Sequence, residues 1–379
     1  MSCWQPDAST GGKCAYLDSD IRNQTDSTNP MNSTNPMNST NPMNSTNPMN
    51  PKNVKVAILG AGGWGKNLVR VFCALLGNEN VTVVDPDPVR REAAASNHAG
   101  VETSAGPQWQ AYDAAVVAAP AVLHHELAAE ALGNGVHVLV EKPIALSSEH
   151  ARKLIDLADH QDRILMVDHL LEYHPAIVRL KALVDEGHLG RLLHLTSRRL
   201  NLGVIRTEEN ALWSLAPHDI SVILHLLDQD PVAISARGAS YLQPGIPDVA
   251  HVTMTFDDGA IAFVHASWLD PVKTRCLTVA GDQAMAVYDD TAETKLVLHH
   301  KRAVREDVRF VPERGEEEAV EIDAAEPLRS MAEVFLASIE TGKPPRSDGW
   351  DGWRVVRVLE GAQASMDRGG IPIRMEPRK

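Results

Sequence analysis

Val54-Lys55-Val56-Ala57-Ile58-Leu59-Gly60-Ala61-Gly62-Gly63-Trp64-Gly65 is the stretch on which the fold turns. Its first six residues are near-continuously apolar, as a strand buried on both faces requires. Gly60, Gly62 and Gly65 then form GxGxxG between that strand and a helical pattern running to Leu76. Glycines here permit a tight turn and close backbone approach, and the helix N-terminus attracts a pyrophosphate. The bare pattern also fits an ordinary glycine-rich turn, so context matters. Asp85 ends the next strand 20 residues after Gly65, where an acid hydrogen-bonds adenosine ribose hydroxyls. The stretch therefore predicts a dinucleotide site at Gly60, Gly62, Gly63, Trp64, Gly65 and Asp85. Asp85 would repel a 2′-phosphate, which favours NAD over NADP. Arg90 and Arg91 reverse that only if they fold back over the ribose instead of standing exposed on helix 88–97.

Strand and helix patterns keep alternating outward from this stretch. Strands are predicted at 81–85, 101–103, 114–119, 136–140 and 163–167, with helices at 88–97, 123–134 and 147–161. That order implies βαβ crossovers and a doubly wound parallel sheet, a Rossmann domain over residues 53–170. Past about residue 190 strands follow one another, at 192–200, 233–242, 250–256, 260–268, 275–279 and 285–288. Asp258-Gly259 makes a hairpin turn among them. Two helices, 327–341 and 351–367, close the chain. Residues 171–379 are thus expected to form an α+β domain on an antiparallel or mixed sheet.

Before the first strand the chain reads differently. Residues 27–50 are four copies of Ser-Thr-Asn-Pro-Met-Asn. A polar repeat with proline in each unit cannot bury enough apolar surface to offset its ordering entropy. Residues 1–52 are expected to be a disordered low-complexity tail. Its glycosylation sequons follow automatically from the repeat, and no apolar h-region marks a signal peptide. The net charge of −14 disfavours nucleic acid and anionic membrane as partners. No apolar run approaches the ~20 residues that span a bilayer. Cys3, Cys14, Cys73 and Cys276 lack CxxC or paired spacing, which fits a reducing cytoplasm. His124-His125-Glu126 and His299-His300 lack the i,i+4 spacing of a helical zinc pair, so no metal is expected.

Glu141-Lys142-Pro143 closes a strand on the carboxyl edge of the first sheet, where ligands bind in doubly wound folds. Taken alone, Lys142 either polarises a substrate hydroxyl or is a surface lysine in a turn. Pro217 suits a helix's first turn, and Ile220, Ile223, Leu224 and Leu227 give that helix an apolar face. His218 then stands at a helix N-terminus, where the dipole disfavours imidazolium and keeps a neutral base available. A capping or core histidine is the other reading.

GAGGWG, Ala119-Pro120 with His124 shortly after, and GVHVLVEKPIAL at 135–146 together resemble the glucose–fructose oxidoreductase/inositol dehydrogenase/rhizopine-catabolism (Gfo/Idh/MocA) family, from Val54 onward. The resemblance implies an α/β chain: a Rossmann domain, then an α+β domain whose large open sheet often builds homo-oligomer contacts. It implies cofactor contacts at Ala119, Pro120, His124, Glu141 and Lys142, and a cis Lys142–Pro143 bond. It gives Lys142 contact with the reacting hydroxyl and matches His218 to the family's catalytic histidine. Ser214 departs from the pattern, since many relatives carry Asp four residues before that histidine, and Asp219 cannot be assumed to replace it.

Residues 201–214 and 216–221 are similar to the branch that oxidises C3 of UDP-linked N-acetylhexosamines, UDP-GlcNAc or its C6 uronate. That branch feeds an aminotransferase partner on the way to lipid A or surface polysaccharide. Arg206, Lys273 and Arg275 are cations in loop or strand-end positions that suit a sugar-nucleotide pyrophosphate. Strand-edge cations that discourage aggregation are the alternative for Lys273 and Arg275. Asn201 opens this segment, and Asn210 could hold an acetamido group or ribose. His169 and Tyr173, just past the sixth strand, read as pocket wall or as core. The expected activity is NAD-dependent oxidation of the C3 hydroxyl of UDP-GlcNAc. The alternatives are the uronate, a free sugar or inositol, and a cofactor-bound sensor. A sensor would be free to lose Lys142 or His218, and both are present.

Overall fold

The computed structural model describes residues 53–377, so the predicted tail lies outside the described residues. Six short strands form the first sheet: β1 (Val56–Leu59), β2 (Val81–Val84), β3 (Glu102–Ser104), β4 (Ala114–Val117), β5 (His137–Val140) and β6 (Leu165–Val167). All pair in parallel in the order β3-β2-β1-β4-β5-β6. The reversal of direction beside β1 is where doubly wound sheets bind ligands. Between the strands run α1 (Gly65–Leu76), α2 (Pro88–Asn97), α3 (His124–Gly133) and α4 (Ser148–Gln161). Asp87 accepts from Val89 N ahead of Pro88, and Ser147 accepts from His150 N, so α2 and α4 begin at capped ends.

The chain continues through α5 (Pro175–Asp185), β7 (Leu192–Leu200), α6 (Ala211–Leu215) and α7 (Pro217–Leu227). It then lays down β8 (Ala233–Ala239), β9 (Val249–Thr255), β10 (Ile261–Ser267), β11 (Thr274–Gly281), β12 (Met285–Asp289), β13 (Leu296–Glu306) and β14 (Arg309–Ala319). Two helices, α8 (Pro327–Thr341) and α9 (Gly349–Asp367), precede a last short strand, β15 (Ile373–Arg374). The nine strands of this second sheet run β14-β13-β12-β11-β7-β10-β9-β8-β15. Only β7 and β10 pair in parallel, so the sheet is mixed and mostly antiparallel, as expected.

The long β13–β14 hairpin was not anticipated. Its arms carry charge where a half-buried strand carries apolar residues, and cross-strand pairs hold them: Lys301 to Glu317 at 2.6 Å and Arg302 to Glu313 at 2.6 Å.

The inner face of the second sheet packs on residues of α5, α7 and α9. The closing helices also return to the first sheet. Leu328, Met331 and Phe335 of α8 join the core on the α1 side, where Phe335 meets Phe72 edge-on at 6.4 Å. On α9, Val355, Val358 and Leu359 face the second sheet while Val356 faces the core beneath α3 and α4. This doubly buried helix fixes the floor shared by the two sheets. Cys73 and Cys276 are buried free thiols. Among the described residues no helix is long and apolar enough to cross a membrane.

Candidate active site

The glycine loop leaves β1 with Gly60 at φ +103°, and its N–H donates to Val84 O at 2.8 Å. A Cβ on Gly60 would stand 2.7 Å from Ala118 O, and one on Gly65 only 1.9 Å from Gly60 O, so both positions require glycine. Above Gly63 nothing lies within 4 Å, and above Gly62 only Arg90 does, at 3.8 Å. That open cradle at the start of α1 fits a dinucleotide pyrophosphate.

Asp85 is 1% exposed, and its carboxylate accepts from Ala61 N at 2.8 Å and Asp87 N at 2.9 Å. Two carboxylate oxygens accept about four hydrogen bonds, which leaves capacity for ribose hydroxyls. The arginines of α2 turn toward the end of β2, although the Arg90 side chain remains 53% exposed. Arg91 donates to Asp85 O at 2.6 Å, and Arg90 lies 3.6 Å from the Asp85 carboxylate and 3.4 Å from that of Asp87. The charge of Arg90 is thus already compensated by two acids.

At the end of β5 the Lys142–Pro143 bond is cis, as the resemblance implied. His124, fully buried, ties this turn to the Ala119–Pro120 loop: Nδ1 faces Pro143 O at 2.7 Å and Nε2 faces Ala119 O at 2.9 Å. Burial first, then nearby Lys142, hold the His124 pKa down, although both carbonyls favour its protonated form. A neutral ring can donate to only one of them.

Lys142 Nζ crosses to the second domain and donates to Ser214 O at 3.3 Å. His218, in the first turn of α7, is in the same neighbourhood, with Nδ1 buried and unpartnered among the described residues. Burial first, then the positive charges of Lys142, Arg199, His169 and Arg275, hold His218 well below an ordinary histidine. It is therefore neutral and able to accept a proton. Asp219 does not assist it. The Asp219 carboxylate takes Ser197 Oγ at 2.5 Å and Arg199 Nε at 2.6 Å, forming a buried ion pair between α7 and β7. A small, partly open niche, with room for about one water, is lined by Ser197, Arg199, Asp219, Arg275 and Tyr288 among others.

The other substrate candidates separate. His169 is 1% exposed and lies in the field of His218, with Nδ1 2.5 Å from Asp351 and 3.5 Å from Glu172. Burial alone would lower the His169 pKa, but Asp351, by charge and hydrogen bond, and then Glu172 raise it to about 10. Burial and then Asp351 push Glu172 up to about 8. His169, Glu172 and Asp351 also have the mutual spacing of a cation site.

Tyr173 belongs to the core of the first sheet, its hydroxyl on Ser347 Oγ at 2.9 Å, and so is not pocket wall. Asn210 caps α6, accepting from Trp213 N at 3.1 Å and donating to Gln363 at 2.8 Å, which leaves its amide committed to the protein. Arg275 pairs with Asp290 at 3.1 Å while lying in the field of His218. Arg206 sits in the loop after β7, 52% exposed, with Glu209 at 3.7 Å. Asn201 begins that loop, its N–H bound to Ser267 O, and Lys273 is exposed ahead of β11.

Sequence reasoning did not single out Asp168, Arg199, Glu172 or Asp351. Asp168 alone had a legible signal, an acid directly after a buried strand at the sheet's carboxyl edge.

Comparison with known proteins matches residues 54–169 to "Oxidoreductase family, NAD-binding Rossmann fold" and residues 177–287 to "GFO/IDH/MocA C-terminal domain". The UDP-N-acetylglucosamine 3-dehydrogenase of Acidithiobacillus ferrooxidans is 26% identical over 306 residues, 80% of this chain and 94% of the relative. An inositol 2-dehydrogenase of Streptomyces avermitilis is 26% identical over 342 residues, covering 85% of this chain and 95% of that one. The solved structure of the Acidithiobacillus enzyme superposes with a TM-score of 0.73 at 24% identity, over 83% of this chain and 98% of the other.

Proposed function

Because the chain belongs to the GFO/IDH/MocA oxidoreductase family, we propose that it oxidises the C3 hydroxyl of UDP-GlcNAc to the 3-keto sugar with NAD. The observation that carries the chemistry is the nearness of Lys142, just past β5, to His218, at the start of α7. Bound nicotinamide supplies the hydride acceptor. His218, held neutral, takes the hydroxyl proton, and Lys142 stabilises the alkoxide that develops on the same oxygen. The histidine draws off the proton and the cation stabilises the oxygen left behind, so both favour the O–H cleavage that accompanies hydride release from its carbon.

The nucleotide-sugar reading draws support from the Acidithiobacillus relative and from Arg206 and Lys273, exposed cations on the second domain. A second reading, the C6 uronate, draws on Arg275, whose charge reaches His218 and could meet a carboxylate. NAD is favoured over NADP because the carboxylate of Asp85, buried at the end of β2, would repel a 2′-phosphate at the ribose.

In this reading residues 53–170 bind cofactor, and residues 171–379 bind substrate and self-associate through the outward sheet face, where Phe263 is exposed. The unfavourable oxidation would be drawn forward by a cytoplasmic aminotransferase. The test is NADH formation with UDP-GlcNAc, its uronate and myo-inositol, each with and without an aminotransferase that consumes the 3-keto sugar. Oxidation of myo-inositol in preference to both UDP-sugars would refute the nucleotide-sugar assignment.

A further inference from the structure

Past the end of β6 the chain enters a short 3-10 turn, Leu170–Tyr173, in which Glu172 N donates to His169 O at 3.0 Å. Side chains three residues apart in such a turn eclipse one another, so His169 and Glu172 share a face. Asp351 meets that face from the first turn of α9, where its own N–H donates to the Asp348 carboxylate at 2.9 Å. Asp351 lies 182 residues after His169. No helical i,i+4 pair is involved, because the third group arrives from the far end of the chain.

His169 Nδ1 stands 2.5 Å from Asp351 Oδ2 and 3.5 Å from Glu172 Oε1, and one ligating atom from each residue lies within 4.8 Å of the other two. His169, Glu172 and Asp351 are 1%, 0% and 7% exposed. Both oxygens of Glu172 are buried without a hydrogen-bond partner among the described residues. A carboxylate buried in that state carries its full desolvation penalty unless a cation or a proton meets it. Two acids here face one imidazole, which even when protonated offsets only one of them. The neighbouring arginines are engaged elsewhere. Arg346 donates to the main-chain oxygen of Glu172 at 3.2 Å and stacks over Tyr173, while Arg354 pairs with Asp230 at 2.5 Å.

The cluster therefore offers one imidazole nitrogen, two carboxylates and an unmet negative charge. A mixed nitrogen and oxygen donor set suits zinc and similar ions, whereas magnesium and calcium favour oxygen alone. We propose that His169, Glu172 and Asp351 form a structural site for a divalent cation of the zinc type. Nδ1 of His169, Oδ2 of Asp351 and the carboxylate of Glu172 are its ligands. The ion neutralises the second acid, supplies the partner that the Glu172 oxygens lack, and ties the turn after β6 to α9, the helix packed against both sheets. Ligands so deeply buried leave no open coordination position for a substrate, so the site is structural and not catalytic. In the metal-free chain protons hold the cluster together, and the ion displaces them on binding.

Elemental analysis of the full chain, purified without chelator and without a histidine tag, should find one zinc per chain. The chelator-stripped protein should recover one zinc on titration with zinc alone, and its melting temperature should rise with zinc but not with magnesium at the same concentration. Glu172→Gln keeps the side chain's size and removes its charge, and should abolish zinc binding. Cobalt(II) substituted for zinc should show the visible bands of nitrogen and oxygen ligation with no thiolate charge-transfer band. Stripped, unmodified protein that neither binds zinc nor melts higher with it would overturn the proposal, and that measurement needs no variant. So would one zinc per chain retained by folded Glu172→Gln, or a thiolate band placing the ion on cysteine. None of these readouts depends on oxidoreductase activity, so the proposed reaction can fail while this site stands.

Discussion

The ammonium of Lys142 lies 3.3 Å from the main-chain oxygen of Ser214, four residues ahead of His218. The contact uses the backbone and not the serine hydroxyl, so Ser214→Ala should change turnover little, within about twofold. Ser214→Asp should act differently. A carboxylate there stabilises imidazolium, raises the His218 pKa, and moves the acidic limb of kcat/KM to higher pH. In the unmodified protein that limb should lie well below the ordinary histidine value of 6.5. A pH–rate profile of both variants checks the pair of expectations.

The His169–Asp351 contact predicts a pH-dependent stability. The folded-state pKa of His169 is raised from 6.5 to about 10, so its contribution is fully present below 6.5 and is lost as pH rises through about 10. Glu172, raised from 4.5 to about 8, tilts stability the same way between those values. Asp351→Asn should lower the melting temperature at neutral pH and flatten its decline toward alkaline pH. Melting curves across that range would expose an unchanged slope if the cluster does not titrate this way.

The Arg199–Asp219 pair is buried and doubly hydrogen-bonded. Asp219→Ala strands the guanidinium and should cost about 3–5 kcal/mol. Denaturant titration measures this. A loss near zero would mean that Arg199 finds water or another acid.

Much of this was legible beforehand, for identifiable reasons. Strands β1, β4, β5 and β6 of the first sheet are buried on both faces and so read as apolar runs, whereas the edge strand β3 is exposed; the predicted helix 88–97 coincides with α2 because Asp87 and Pro88 mark its start. The β13–β14 hairpin escaped because ion pairs such as Arg302–Glu313, and not apolar alternation, hold its arms together. At the site, Lys142 and His218 sit in local patterns. His169 meets Asp351 across 182 residues and Arg199 meets Asp219 across 20, partnerships that only the folded chain brings about. Asn210 read as a pocket residue, and Tyr173 as pocket wall or core, because a polar or aromatic residue beside a site looks the same from sequence whether it faces ligand or protein.

Cofactor choice rests on Asp85. Removing one charge-assisted hydrogen-bond acceptor is worth about 1.5 kcal/mol, so Asp85→Ala should weaken NAD binding roughly tenfold while sparing NADP. Calorimetry that found NADP preferred by the unmodified protein would transfer the decisive role to Arg90.

The convergence of Lys142 and His218 is tested most directly by a double-mutant cycle on turnover. Lys142→Met and His218→Ala should each lower kcat by ~10²–10⁴-fold, and the double variant should fall no further than the worse single one, because both act on one hydroxyl. Full turnover in either single variant, or losses that multiply in the double variant, would contradict a shared site.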